Sequence, residues 1–223
     1  MKTTFICLAN SYKEGGRCVA GIECHNGIPL WNENDKPRWI RPVSADTPHG
    51  EIDSRLSYKL KLLDIVEMDA LEPVPEGHQV ENVLFAPNSL KTRSIFSASA
   101  LETLCDHYQP FLFGNASNAV SAEEASQLSE SLTLVKVTTF QFAIKPNPIK
   151  PDKPHVRLHF DFNKVPYNLP VTDPAFLREI QFDKDYLKNA PELYLFLSLG
   201  ILHEGLHYKL VAGIIPANDA NDQ

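Results

Sequence analysis

The chain has 223 residues, of which 43% are hydrophobic and 22% charged, an ordinary globular composition that excludes disorder as the default. This length accommodates one large domain or two of about 100 residues each, and no run of about 18 apolar residues is present that could span a membrane. The net charge of −7 argues against a protein that coats DNA irrespective of sequence.

The charge is unevenly distributed along the chain. Residues 1–61 carry 9 Lys and Arg against 7 Asp and Glu, residues 62–135 carry 2 against 11, and residues 136–223 carry 10 against 10. A mildly basic first third beside an acidic middle permits a local anion-binding site despite the overall negative charge.

The cysteines and the N-terminal residues favour a cytoplasmic protein. No two cysteines form a C-x-x-C pair, so we expect buried, reduced thiols rather than a zinc ribbon or a redox motif. The apolar stretch near the N-terminus is too short for a signal peptide, and we interpret it as a strand. The cysteines are Cys7, Cys18, Cys24 and Cys105.

The first third of the sequence predicts short strands separated by turns. Residues 3–9 form an apolar run, and residues 17–24 alternate, with Cys18, Ala20, Ile22 and Cys24 on one face. Further strands are predicted at residues 39–44, 60–71 and 81–85. Five short strands without long helices between them are typical of a small barrel or sandwich.

Capping signals predict helices in the middle of the chain. Ser99 and Glu102 have the spacing of a capping box, and apolar residues follow at helical spacing as far as Tyr108. Ser121 and Glu124 repeat the capping pattern and predict a second, short helix.

The last third returns to strands. Residues 132–144 predict one long strand, and residues 156–163 alternate between apolar and polar side chains, the pattern of a half-buried strand. Asp173 and Pro174 are suited to begin a short helix. A final hairpin is predicted from residues 193–200 and 207–215.

These elements predict a mainly β protein with short helices, made of two domains. The N-terminal barrel covers residues 1–95, and a helical connection covers residues 96–130. The C-terminal β domain covers residues 131–217, and the polar residues 218–223 are expected to form a frayed tail.

The segment His203-Glu204-Gly205-Leu206-His207 matches the H-E-x-x-H motif of zinc proteases. That motif requires an α-helix, which places both histidines on one face next to the metal. Here strand-like sequence flanks the motif and a glycine lies inside it. We therefore predict a hairpin turn and no metal site, and a metal-dependent hydrolase that uses this segment is the least favoured alternative.

Arginines near the N-terminus provide the best candidate binding site. Arg38 and Arg41 flank Trp39, which combines phosphate contacts with a stacking surface, as in grooves that bind single-stranded nucleic acid. A core tryptophan between solvated arginines explains the pattern equally well. Gly15-Gly16 before Arg17 permits an anion-binding turn, although an ordinary hairpin loop is favoured.

Several ordered segments resemble the dual OB-fold domain family of bacterial proteins associated with prokaryotic conflict and antiviral defence systems. The main ones are ICLANSYKEGGRCVAG (6–21), RWIRPVS (38–44), LLDIV (62–66), YNLPVTDP (167–174), LFLSLG (195–200) and YKLVAGII (208–215). The resemblance spans nearly the whole chain and implies two tandem OB-like β-barrels that contact nucleic acid or nucleotides. It carries over no catalytic residues.

We therefore expect a non-catalytic, cytoplasmic module without cofactors that binds single-stranded DNA or RNA through its N-terminal barrel. The alternative is an adaptor for a partner enzyme encoded in the same operon, and no membrane association is expected. The predicted contacts are Asn10, Ser11, Tyr12, Lys13, Arg17, Arg38, Trp39 and Arg41.

Overall fold

The computed structural model of the protein describes residues 1–146 and 155–217. The frayed tail predicted at residues 218–223 lies outside the described residues. The chain forms two compact units, Met1–Leu104 and Cys105–Gln223, each built mainly of strands with short helices. Within the described ranges, no helix has both the length and the apolar character needed to cross a lipid bilayer.

The first unit contains seven strands and one short α-helix. They are β1 (Lys2–Lys13), β2 (Gly16–His25), β3 (Ile28–Pro29), β4 (Trp39–Val43), α1 (Ser54–Ser57), β5 (Asp64–Pro73), β6 (Asn82–Phe85) and β7 (Lys91–Ile95). The strands predicted from alternation and apolar runs are present, with bounds shifted by a few residues.

Five of these strands close into a barrel. β1 pairs with β2 and with β5, β2 pairs with β4, and β6 lies between β4 and β5. The β4–β6 pairing is parallel and the other four are antiparallel. This order is the Greek-key barrel of an OB fold, which confirms the fold expected for the N-terminal half.

The barrel interior is filled by the apolar faces of these strands. A Cβ at Gly21 would lie 1.8 Å from the carbonyl oxygen of Ile6, so the close approach of β2 to β1 requires glycine there. The core side chains include Phe5, Cys7, Val19, Ile40, Ile52, Val66, Met68 and Phe85.

Over residues 105–146 and 155–217, the second unit contains seven strands and two α-helices. They are β8 (Ala119–Ser121), α2 (Ala122–Ser126), β9 (Leu132–Val137), β10 (Phe140–Lys145), β11 (His155–Phe162), β12 (Val165–Pro170), α3 (Pro174–Phe182), β13 (Glu192–His203) and β14 (Leu206–Ala217). The predicted hairpin and the predicted start of α3 are confirmed.

The strand predicted over residues 132–144 is divided between two sheets. Thr138 and Thr139 separate β9, in the sheet β8-β14-β13-β9, from β10, in the sheet β10-β11-β12. An isolated parallel bridge between Val171, the residue directly after β12, and Val211 connects this end of β12 to β14. The connectivity is again that of an OB fold, with a half-open barrel.

The segment predicted as a helical connection, residues 96–130, is less helical than its capping signals suggest. Residues Ala98–Leu104 form a 3₁₀ helix instead of an α-helix that continues to Tyr108. Leu101 and Leu104 are its buried residues. They are three residues apart, and a 3₁₀ helix places side chains at this spacing directly above one another on one face. The capping box of Ser121 and Glu124 is present and begins α2.

Asp173 joins α3 to β14. Its Oδ1 atom accepts hydrogen bonds from the backbone N–H groups of Ala175 and Phe176, and its Oδ2 atom accepts one from Ile214 at 3.0 Å. We expect Asp173→Ala to lower the free energy of unfolding by about 2 kcal/mol. The substitution removes the cap of α3 and leaves the buried backbone N–H of Ile214 without its acceptor. Urea unfolding followed by circular dichroism measures this change.

Asp173→Ser is the matched control, because a serine hydroxyl also caps helices. We expect it to recover about half of the lost free energy, since only the bond from Ile214 is then missing. Equal losses in the two variants would contradict a capping role.

Candidate nucleic-acid interface

The β1–β2 hairpin presents the first group of predicted contacts. Glu14 and Gly15 form its two-residue turn, with φ of 38° and 89°, so the chain reverses tightly and Tyr12 pairs with Arg17. Gly16 already belongs to β2. The Gly15-Gly16 segment is therefore an ordinary hairpin loop, the alternative favoured from the sequence.

Tyr12 and Arg17 form an aromatic–cation pair at the hairpin end. The guanidinium carbon of Arg17 lies 4.5 Å from the centre of the Tyr12 ring, and Tyr12 is 56% exposed. The backbone of Arg17 exchanges two hydrogen bonds with Ile52, which fixes its position. Within the described residues Arg17 has no carboxylate at ion-pair distance, and its Nε and Nη1 atoms are buried without a hydrogen-bond partner.

Lys13 adds a second cation next to this pair. It is half-buried, and burial is the main cause that lowers the pKa of its ammonium group. Arg41 lowers the pKa further, whereas Cys18, Glu51 and Glu76 raise it. Lys13 therefore lies among both cations and carboxylates, and a bound anion would favour its charged form.

Asn10 and Ser11 support the hairpin from inside. The side-chain amide of Asn10 donates to the carbonyl oxygens of Ser57 and Leu60, at 2.8 and 3.0 Å. Ser11 is buried. Both residues were predicted as ligand contacts. The Asn10 amide instead binds the backbone at Ser57 and Leu60, and burial removes Ser11 from solvent.

The turn fixed by Asn10 carries a second aromatic–cation pair. Tyr58 and Lys59 lie between the two carbonyl groups that Asn10 binds, and the Lys59 ammonium is 5.5 Å from the centre of the Tyr58 ring. Tyr58 is 65% exposed. Sequence reasoning did not select this pair. The adjacent Tyr-Lys dipeptide was the available signal, but only the contact with β1 relates it to Tyr12.

Arg38 and Trp39 lie at the start of β4. Arg38 is exposed, and its Nη2 atom donates to both carboxylate oxygens of Glu23, each at 3.1 Å. Burial raises the pKa of the Glu23 carboxyl, and the Arg38 guanidinium opposes that rise. Trp39 is half-buried and pairs with Ile22 of β2. Arg38 is therefore accessible but already bound to a carboxylate.

Arg41 does not lie on the surface with the other predicted contacts. It is only 1% exposed, and its Nη1 atom lies 3.3 Å from Asn82 Oδ1 and 3.8 Å from Glu81 Oε2. The parallel pairing of β4 with β6 brings these partners beside it. The prediction that Arg41 contacts a ligand is corrected: it is a buried, paired charge.

The H-E-x-x-H segment forms the turn of the β13–β14 hairpin, as predicted. Glu204 and Gly205 have φ of 51° and 81°, His203 pairs with Leu206, and Leu202 pairs with His207. Neighbouring positions on a strand point to opposite faces, so the two histidines cannot converge on one ion. In the described part of the chain, no group of three or more His, Cys, Asp or Glu residues could hold a metal.

The sequence and the fold were compared with known proteins. The family model of the dual OB-containing domain matches residues 3–214. No curated protein matches this chain. A murine DNA binding protein bound with ds DNA aligns at 5% identity and a TM-score of 0.36, covering 100% of this chain and 98% of the other.

A chain of a replication protein A heterotrimer bound to ssDNA aligns at 9% identity and a TM-score of 0.39, covering 99% of this chain and 49% of the other. The family match, in contrast, extends over nearly the whole sequence and includes both barrels. The chain belongs to the dual OB-containing domain family.

Proposed function

We propose that this protein binds single-stranded DNA or RNA through the hairpin end of its first barrel. The observation that carries the proposal is the presence of two exposed tyrosines, each beside a cation, on segments that Asn10 ties together. We call this area the hairpin surface and define it by Tyr12, Lys13, Arg17, Tyr58 and Lys59.

The chemistry of the hairpin surface suits a single strand. Exposed aromatic rings stack on unpaired bases, and stacking of this kind contributes about 1–3 kcal/mol per base. The cations beside the rings contact phosphates, although the buried Nε and Nη1 atoms of Arg17 exclude a forked contact from this residue. The loop between the first two strands of an OB barrel is also one of the loops that bind oligonucleotides in this fold.

Arg38 and Trp39 lie beside Glu23 and Ile22 of β2, five to six positions along that strand from Arg17, and they form a separate contact with a smaller effect. Arg38 would have to leave Glu23 before it could bind a phosphate, and that exchange reduces the net gain. Trp39 is half-buried, so only part of its ring is available for stacking.

Truncating both exposed rings tests the proposal. We expect Tyr12→Ala combined with Tyr58→Ala to weaken binding of an oligonucleotide of about 20 nucleotides by at least about 10-fold, because two stacking contacts are lost. Arg17→Gln should also lower the slope of log affinity against log salt by about 0.7, the value for one phosphate contact on a single strand. Fluorescence anisotropy at several salt concentrations measures both effects.

Tyr108→Ala is the matched control, because Tyr108 is 94% exposed and lies in the second unit. We expect this variant to bind like the wild-type protein. Equal affinities for the double tyrosine variant and the control would contradict the proposed surface.

The sequence also supports a wider setting for the proposal. The resemblance favours a binding component of a prokaryotic defence system rather than an enzyme, and the reduced cysteines favour a cytoplasmic location. The alternative is an adaptor for a partner enzyme encoded in the same operon. Co-expression with the neighbouring genes tests this setting, and a stable complex that co-purifies is the expected result.

A further inference from the structure

The second unit contains a cleft that the proposed function does not use. Its volume is about 350 Å³, which lies in the range of small-molecule sites. Three segments of the second unit meet there: the loop around His107, the bend between β9 and β10, and the turn between β11 and β12. We call it the turn cleft, and its lining consists of His107, residues 136–139 and residues 161–164.

Hydrogen bonds hold the walls of the turn cleft together. The backbone N–H of Asp106 donates to the carbonyl oxygen of Leu134 at 2.8 Å, which fixes the His107 loop to β9. The side-chain amide of Asn163 donates to the carbonyl oxygen of Gln109 at 2.6 Å, which joins the β11–β12 turn to the same loop. Because the fold already positions these walls, a ligand binds without a large ordering cost.

Polar side chains in the lining keep donors and acceptors that the fold does not use. The side chains of Thr138, Thr139 and Asp161 are exposed and make no hydrogen bond or ion pair with any residue that the structure describes. Val137 and Phe162 are buried and add a small apolar area to the lining. The turn cleft therefore offers hydroxyl and carboxylate groups to a polar ligand.

Lys164 lines the turn cleft at a backbone position that favours glycine. Asn163 and Lys164 form the two-residue turn of the β11–β12 hairpin, with φ of 49° and 67°. Asn-Gly is the favoured sequence at such turns, because a β-carbon is strained at positive φ. Lys164 is exposed, and across the described part of the chain it forms no ion pair. The sequence thus retains an ammonium group here despite the strain.

Carboxylates near the cations make the turn cleft unsuited to a polyanion. Lys136 is half-buried, and its Nζ atom lies 3.3 Å from Glu192 Oε2, so Lys164 is the stronger anion contact. Asp161 also lines the cleft. A nucleic acid strand would bring several phosphates towards these carboxylates, whereas a ligand with a single phosphate can place it beside Lys164 alone.

We infer that the turn cleft binds a small sugar phosphate, a ligand class beyond the proposed function. Lys164 contacts the phosphate group as a point charge. The Asp161 carboxylate accepts hydrogen bonds from sugar hydroxyl groups, and the hydroxyls of Thr138 and Thr139 donate or accept. A pentose phosphate carries both kinds of group. Inorganic phosphate has no sugar hydroxyl for Asp161, and a free sugar has no anion for Lys164.

Titration of the intact protein with ribose 5-phosphate, followed by the NMR shifts of backbone amides, tests this inference. We expect saturable shifts that concentrate at residues 136–139 and 161–164. Inorganic phosphate and free ribose should each bind at least about 10-fold more weakly, because each lacks one charged hydrogen-bonded contact. Absence of saturable binding, or inorganic phosphate binding as tightly as the ester, overturns the inference.

Lys164→Gly separates binding from folding. It removes the ammonium group and should weaken binding of ribose 5-phosphate at least about 10-fold. Glycine adopts positive φ without strain, so the midpoint of urea unfolding should not fall. Lys164→Arg keeps the positive charge and should retain most of the affinity. Lys184→Gly is the matched control: it changes an exposed lysine of the same unit outside the cleft and should bind like the wild-type protein.

The same variants distinguish this inference from the proposed function. Lys164→Gly should bind oligonucleotide as the wild-type protein does, and Tyr12→Ala with Tyr58→Ala should bind ribose 5-phosphate normally. If only the oligonucleotide experiment fails, the hairpin surface is refuted and the turn cleft is not. Unchanged affinity of Lys164→Gly for ribose 5-phosphate, or a loss of its oligonucleotide binding, contradicts a separate sugar phosphate site.

Discussion

Arg41→Gln is expected to lower the free energy of unfolding by about 3 kcal/mol, because it removes one member of a buried charge pair. Arg41 is 1% exposed, and Glu81 and Asn82 lie next to its guanidinium. Glutamine occupies much of the same space but leaves the Glu81 carboxylate without its positive neighbour. Urea unfolding followed by tryptophan fluorescence measures the loss, since Trp31 and Trp39 both lie in the first unit.

The same variant separates a structural role from a binding role. A buried arginine contacts no phosphate. In urea-free buffer at about pH 7.5, folded Arg41→Gln protein should therefore bind oligonucleotide with the same salt dependence as the wild-type protein. Arg38→Gln is the matched control: Arg38 is exposed and its partner Glu23 only half-buried, so the loss of this pair should cost less than about 1 kcal/mol. A stable Arg41→Gln protein with a reduced salt slope would show that Arg41 binds the ligand directly.

Lys209→Met is expected to lower the free energy of unfolding by about 2–4 kcal/mol, because three acceptors lose their buried donor. Lys209 is 0% exposed. Its Nζ atom donates to Leu112 O at 2.6 Å, to Asn115 O at 2.8 Å and to Asn115 Oδ1 at 2.9 Å. These bonds hold a segment in which Phe113 and Gly114 have φ of 47° and 83°, a conformation that needs support from outside.

The pH dependence gives this prediction a specific signature. Burial lowers the pKa of Lys209 from 10.5 to about 8, opposed by Glu124. The unfolded chain therefore binds more protons than the folded chain between about pH 8 and 10.5, so folded-state stability rises with pH over this range. Relative to Lys209→Met, the wild-type protein should gain about 2 kcal/mol between about pH 7.5 and 10.

Urea unfolding at several pH values, monitored by circular dichroism, measures that difference. The difference in unfolding free energy between the wild-type protein and Lys209→Met excludes the contribution of the titratable groups that both proteins contain. Lys188→Met is the control, because Lys188 is exposed and pairs only with the exposed Asp185 within the described residues. A constant difference between the wild-type protein and Lys209→Met across this pH range would contradict the lowered pKa.

Much of the fold could be predicted because single residues and short patterns determine local structure. The alternation of residues 156–163 identifies β11 and its buried face, and Asp173-Pro174 identifies the start of α3. The glycine in the H-E-x-x-H segment indicates a turn, and Gly205 adopts the positive φ that such a turn requires. Each signal acts within a few residues, so tertiary contacts did not change it.

The candidate site could be predicted only in part. Tyr12 and Arg17 were selected from one loop, and the hairpin register places them together as local pairing allows. Arg41 was selected for its charge, but its burial depends on β6, which lies about 40 residues later in the sequence. Tyr58 and Lys59 were missed, because their proximity to β1 depends on the two hydrogen bonds from Asn10.

The sequence by itself determined the strands, the turns and the family, since these depend on periodicity, turn residues and ordered segments along the chain. Only the tertiary structure decided which cations face solvent. Strand pairing brings distant residues beside Arg41 and Lys209, so acceptors lie next to both buried cations, whereas Lys59 on a surface turn stays exposed. The residues next to a charged side chain in the sequence do not reveal whether it is buried, because its burial depends on the distant residues that pack against it.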